Sequence, residues 1–129
     1  MRRSSDRKLA ALTLAVLGLS AGVARAAPTG DAAKGADEFD ERCSQCHVMG
    51  GVGQGPNLAG VVGRKAGAAP GFPYTAALKA SGLPWTAANL ERFLAGPQKL
   101  VPGAAMTAVV PSETERRDIV AYLAAQKAH

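Results

Sequence analysis

Two cysteines and a histidine within one turn of chain, Cys43-Ser44-Gln45-Cys46-His47, constrain this protein more than any other stretch. Two thiols three positions apart can add to the two vinyl groups on one edge of a porphyrin. An imidazole on the next residue then reaches the iron from the same side, which is the spacing of c-type haem attachment. Three other uses of such a motif fit less well. A thioredoxin-like redox pair would stand at a helix start near a βαβ pattern, and no strand pattern flanks Cys43. A structural zinc ion takes four ligands, and the only other histidine is the last residue, His129. A disulfide closing so small a loop would staple little.

The N-terminal stretch has to be set apart before charge carries any meaning. Arg2, Arg3, Arg7 and Lys8 precede an apolar run from Leu9 to Val23, broken only by Thr13 and Ser20. Ala24-Arg25-Ala26 then offers small residues at both recognition positions. This pattern predicts a secretory signal peptide over 1–26, cut after Ala26, and a periplasmic mature domain over 27–129. The alternative is a retained anchor, although the run is shorter than the roughly 20 residues a spanning helix needs. The leader's five basic residues against Asp6 account for +4 of the chain's +5, leaving the mature domain near neutral. No basic patch remains for nucleic acid to bind.

A domain this small has a limited core, and its aromatic residues are few (5% of the chain). A large flat apolar cofactor would supply core that the side chains lack, so the chain without it should fold poorly.

Helical patterns punctuate the mature chain. Asp31 is an N-cap for a helix through Ala32, Ala36 and Phe39 to Cys43, with Gly35 on the same face as Phe39. Residues 48–73 hold eight of the protein's fifteen glycines and no sustained period. A loop this long is unusual in a compact domain unless it wraps something. Tyr74 to Ala80 reads as a short helix closed by Gly82. Thr86 caps a helix from Ala87 to Ala95, which Gly96-Pro97 should stop. Gln98 to Pro111 reads as irregular. Ser112 with Glu115 forms a capping box for a last helix from Glu113 to Lys127, presenting Ile119, Tyr122 and Leu123 inward. Neither repeats nor strands stand out.

If His47 ligates the iron, the other axial position can be filled by Met49, Met106 or His129. Met49 is too close in sequence to His47 to reach round the ring, and His129 is terminal. Met106 follows Pro102-Gly103-Ala104-Ala105 in a segment with no regular pattern, which suits a side chain that must be aimed.

Taken together, Gly30-Asp31, Lys34-Gly35, Phe39, the Cys43 to His47 motif, Gly55-Pro56-Asn57-Leu58, Gly63-Arg64-Lys65, Tyr74-Thr75-Ala76-Ala77, Trp85, Pro102-Gly103, Met106 and Ala121-Tyr122-Leu123 form a pattern that resembles the soluble class I cytochromes c. The likeness to the mitochondrial type and its bacterial relatives covers nearly all of the mature chain. It implies an all-α fold in which the first and last helices cross at Gly35 and Phe39 against Ile119 and Tyr122. Short helices and long loops then wrap a single haem c attached through Cys43 and Cys46. It also implies that the Pro56 carbonyl accepts a hydrogen bond from His47, and that Arg64, Tyr74 and Trp85 hold the haem propionates.

Three departures from the family pattern fall together. Phe93 stands where relatives often have tyrosine, Leu78 where they have asparagine, and Ala104 where they have threonine. These predict a drier side around Met106. The lysines that commonly ring the exposed haem edge are also thinned. Arg42 and Lys99 remain, but Gln98, Ala105, Ser112 and Glu113 take other positions, and Ala108 replaces a common aromatic.

The resemblance implies a monomeric electron carrier, not an enzyme. Its partners would be a membrane cytochrome bc-type complex and a terminal oxidase, or a periplasmic dehydrogenase, each met transiently. The alternatives are a haem enzyme or gas-binding protein with a displaceable distal ligand, and a haem module of a larger redox complex.

Overall fold

A computed structural model describes residues 29–128, so the expected leader over 1–26 and His129 lie outside the described residues. Five helices follow in order: α1 (Ala32–Arg42), α2 (Ala76–Ala80), α3 (Ala87–Ala95), α4 (Pro97–Leu100) and α5 (Glu113–Ala125). Among the described residues the only β pairing is an isolated bridge between Lys65 and Pro84. The all-α expectation holds. No helix among these residues is long and apolar enough to cross a membrane.

The frame is the crossing of α1 and α5. Asp31 starts α1 by accepting the N–H groups of Ala33 and Lys34 on its carboxylate. One turn later Gly35 sets backbone directly against backbone: a Cβ there would lie 1.9 Å from the Asp118 carbonyl oxygen. Phe39 continues the seam, its ring 5.3 Å from that of Tyr122. Gly30, from the Gly30-Asp31 pair of the family pattern, makes a second close approach, since its Cβ would lie 2.1 Å from the Arg117 carbonyl oxygen.

Asp118 completes this junction. It is the one buried charged residue among those described, 5% exposed, and its Oδ1 accepts the Asp31 N–H at 2.7 Å. A buried carboxylate is costly unless it is hydrogen-bonded. Here it ties the start of α1 to the middle of α5.

Several local expectations shift by a few residues. Tyr74 and Thr75 precede α2, and the Thr75 hydroxyl caps it by accepting the Leu78 N–H at 3.2 Å. Gly96-Pro97 ends α3 but also opens α4, so residues 98–100 are helical where the irregular segment from Gln98 was expected to begin. Proline needs no N–H donor in a first turn, so one residue serves as stop and start. α5 ends at Ala125, two residues early, with Gln126 as its C-cap. Ser112 caps α5 through the Glu115 N–H at 3.3 Å, but the Glu115 carboxylate pairs with Arg42 at 3.1 Å instead of returning the bond. The capping box is therefore half formed.

Phe39, Val61, Trp85, Leu90, Phe93, Leu94, Ile119 and Leu123 all belong to the buried core. Residues 48–75 hold no helix and contribute Val61 and Ala66 to the core. This core does not close on itself: all eight of the residues named first also line a cavity.

Candidate functional site

The cavity measures about 650 Å³, within the roughly 300–1,000 Å³ usual for cofactor sites. Its lining is mainly apolar and gathers residues from both ends of the chain, including Cys43, Cys46, His47, Pro56, Arg64, Tyr74, Trp85 and Met106. Every site residue singled out from the sequence therefore meets at one place.

The motif itself forms a tight turn off the end of α1. Cys43 is the C-cap and donates its N–H to the Phe39 carbonyl at 2.8 Å. Its own carbonyl then accepts the N–H groups of Cys46 at 3.0 Å and His47 at 2.8 Å. Both thiols are free. Burial pushes the Cys43 thiol up to about 11, against the opposing pull of the Arg42 charge.

His47 Nδ1 lies 2.9 Å from the Pro56 carbonyl oxygen. A carbonyl can only accept, so Nδ1 carries the proton and the neutral ring's lone pair is on Nε2. That is the tautomer that metal binding through Nε2 requires. Gly55 makes room for the ring, because a Cβ there would lie 2.5 Å from His47 Cε1. The Gly55 N–H donates to the Cys46 carbonyl at 2.8 Å, binding this loop back onto the motif.

Arg64 is more deeply engaged than a free loop charge would be. Its Nη2 donates to the Asn57 carbonyl at 2.7 Å and its Nη1 to the Ala59 carbonyl at 3.2 Å. A guanidinium has five N–H donors, so several remain after these two bonds. Burial raises the Tyr74 phenol above its ordinary value, with the Arg64 charge opposing. Phe72, which the sequence did not single out, lines the cavity and meets the Tyr74 ring edge-on at 4.9 Å. Trp85 is buried and stands edge-on to Phe93, also at 4.9 Å.

The two methionines now separate. Met106 is half-buried and lines the cavity, whereas Met49 packs against the core outside the lining. Leu78, Phe93 and Ala104 line the same cavity as Met106. Exposed lining residues mark where it reaches solvent: Arg42, Cys46, Gln54, Ala105, Thr107, Ala108 and Val109. Arg42 is the single charge among them.

A haem fits this donor set. Two free thiols, an imidazole with its lone pair on Nε2 and a thioether share one apolar cavity, and Gly55 leaves the space that the imidazole occupies. Among the described residues no group of three or more His, Cys, Asp or Glu could hold a bare metal ion.

Comparison with known proteins agrees with this chemistry. The pattern of the family described as "Cytochrome c" matches residues 32–127. The cytochrome c of Chlamydomonas reinhardtii is 44% identical over 101 residues, covering 75% of this chain and 90% of the relative. That of Tetrahymena pyriformis is 45% identical over 98 residues, covering 74% and 89%. Among solved structures, cytochrome cH from Methylobacterium extorquens is 44% identical and superposes with a TM-score of 0.72, covering 75% of this chain and all of its own.

Proposed function

This chain belongs to the cytochrome c family, and from that premise we propose that it is a periplasmic single-haem electron carrier, with haem c attached through Cys43 and Cys46 and ligated by His47 and Met106. The family is one of haem electron carriers with a covalently bound haem c. When bound, the haem supplies a ferric/ferrous couple, so one electron moves while no substrate bond is made or broken.

The observation that carries this reading is the pairing within one cavity of a pre-oriented imidazole and a methionine. The Pro56 carbonyl holds His47 with Nε2 as the lone-pair nitrogen and makes it a stronger ligand. The apolar lining keeps water from the ligands and weights the less charged ferrous state. Arg64, Tyr74 and Trp85 serve as donors to the two propionates, which need partners wherever they are removed from water. The cavity mouth at Ala105 to Val109 is where one haem edge would meet a partner. Residues 1–26 act as a cleaved signal peptide and 27–129 as the mature, monomeric domain.

Visible spectra of the purified protein in both oxidation states, with its intact mass, test the whole reading. The expected mass is that of the chain from Ala27 plus one haem, and the ferric spectrum should carry a sulfur-to-iron charge-transfer absorption. A haem protein without that absorption would instead be an enzyme or gas-binding protein with an open distal position. Co-purification with a fixed partner would point to a module of a larger complex.

The proposed partners are a cytochrome bc-type complex and a terminal oxidase, or a periplasmic dehydrogenase. With Arg42 the only charge among the exposed lining residues, electrostatic steering should be weak. Association rates measured by stopped flow should fall only shallowly as ionic strength rises. A steep fall would show that charges away from the mouth govern docking.

Leu78, Phe93 and Ala104 predict a further effect. Phe93→Tyr places a hydroxyl in the apolar lining shared with Met106 and should shift the reduction potential measurably in voltammetry. A potential equal to that of the wild type would show that polarity at this wall does not tune the iron.

A further inference from the structure

The carboxamide of Gln98 reaches from α4 to the segment that carries Met106. Its Nε2 donates to the Ala104 carbonyl and, at 3.4 Å, to the Met106 carbonyl, while its Oε1 accepts the Gly103 N–H at 3.3 Å. One orientation of the amide satisfies all of these partners, with the NH₂ toward carbonyls and the oxygen toward an N–H. Nothing in the sequence pattern marked this residue except as a position where relatives often carry lysine.

The far end of the segment it grips is anchored, since Val110 donates its N–H to the Leu94 carbonyl at 2.8 Å and Arg116 Nη1 donates to the Val110 and Pro111 carbonyls at 2.8 and 2.7 Å, but the stretch before Met106 has little of its own to hold it. Residues 102–112 contain no regular element, and the turn at their start closes through the Ala104 N–H to the Val101 carbonyl at 3.0 Å. Gly103 takes a φ of +89°, which glycine adopts without strain. Inside the cavity, Leu78, Phe93 and Ala104 offer Met106 no hydrogen-bonding side chain. The polar side-chain grip on residues 103–106 comes from behind, through their backbone.

We propose that Gln98 is a positioning residue that holds residues 103–106 so that Met106 stays on the iron, and that this backbone clamp replaces polar support missing from inside the cavity. The proposal rests on the reading of Met106 as the distal ligand. Removing the sulfur from the iron requires this loop to move, so each bond to Gln98 lowers the population of the open state.

The test compares Gln98→Ala and Gln98→Leu with the wild-type holoprotein. Leucine restores bulk without the bonds, whereas alanine removes both. Added imidazole, which competes with Met106, is titrated against the ferric sulfur-to-iron absorption. Both variants should bind imidazole roughly tenfold more tightly, the scale set by the net worth of a hydrogen bond. The Gly103 amide should also exchange with solvent faster in both, a readout that does not depend on the iron. Far-UV unfolding midpoints should change little, since Gln98 is exposed. Wild-type imidazole affinity in both variants would overturn the clamp, as would recovery by leucine alone, which would make the effect one of packing. If the wild-type protein itself lacks the sulfur-to-iron absorption, Met106 is not the ligand and the clamp falls with it.

Discussion

Gly35→Ala is expected to destabilise the holoprotein by about 3 kcal/mol or more, although alanine is the better helix former by about 1 kcal/mol. Intrinsic propensity and packing therefore predict opposite signs. Packing decides, because the new Cβ would sit 1.9 Å from the Asp118 carbonyl oxygen and 2.4 Å from its carbon, neither of which is a flexible side-chain end. α1 and α5 would have to separate along the seam that buries Phe39 and Ile119 and places Asp118 against the Asp31 N–H. Since a small domain's native state is worth only about 5–15 kcal/mol, such a loss is large. Denaturant unfolding followed by far-UV circular dichroism measures it. Ala33→Gly, an exposed change on the same helix, supplies the comparison and should cost about 1 kcal/mol. A Gly35→Ala protein as stable as the wild type would mean that the crossing has slack.

Met106→Ala is expected to abolish the ferric sulfur-to-iron absorption and open a coordination position to imidazole or carbon monoxide. Methionine opposite histidine raises haem potentials. Its loss should lower the potential by roughly a tenth of a volt or more, within the about 0.8 V that axial ligands span. Met49→Ala should leave the spectrum and the potential nearly unchanged, because Met49 lies outside the cavity lining. Voltammetry and carbon monoxide binding to the ferrous protein check both variants. A Met106→Ala protein that retained the charge-transfer absorption would move the distal ligand elsewhere in the chain.

Much of this site was legible before the fold. The Cys43 to His47 spacing names the attachment chemistry on its own, since it is a property of one turn of chain. Helix spans followed from capping residues and period; the errors are end residues, decided by Thr75 and Gln126, and one missed element, the four-residue α4 that Pro97 opens. Met106 emerged because so few residues could reach an iron that His47 would hold from the other side. The roles assigned to Pro56, Arg64, Tyr74 and Trp85 came from the family pattern alone. The fold brings all of these residues to one cavity, but shows Arg64 also bracing its own loop.

Less was legible where a polar group's partner is a distant backbone atom. Asp118 looks like one more charge in the acidic and basic turn from Glu113, yet it is buried against an N–H 87 residues away. Gly30 entered only as part of the family pattern, with no role assigned, yet it approaches the backbone at Arg117. Gln98 looks like a lost lysine, yet it grips Gly103, Ala104 and Met106.

The crossing of the first and last helices came from the family resemblance, whereas the sequence by itself determined the all-α class, the haem-attachment turn and the short set of possible iron ligands. These depend on spacing and on local backbone preferences, which act over a few residues. Only the tertiary structure decided that Gly35 sets backbone against backbone at Asp118, that the Asp118 side chain joins the start of α1 to α5, and that the Met106 loop is held by Gln98. Those outcomes depend on which carbonyl and N–H groups packing brings within 2–3.5 Å of one another, and no one-dimensional pattern encodes that approach.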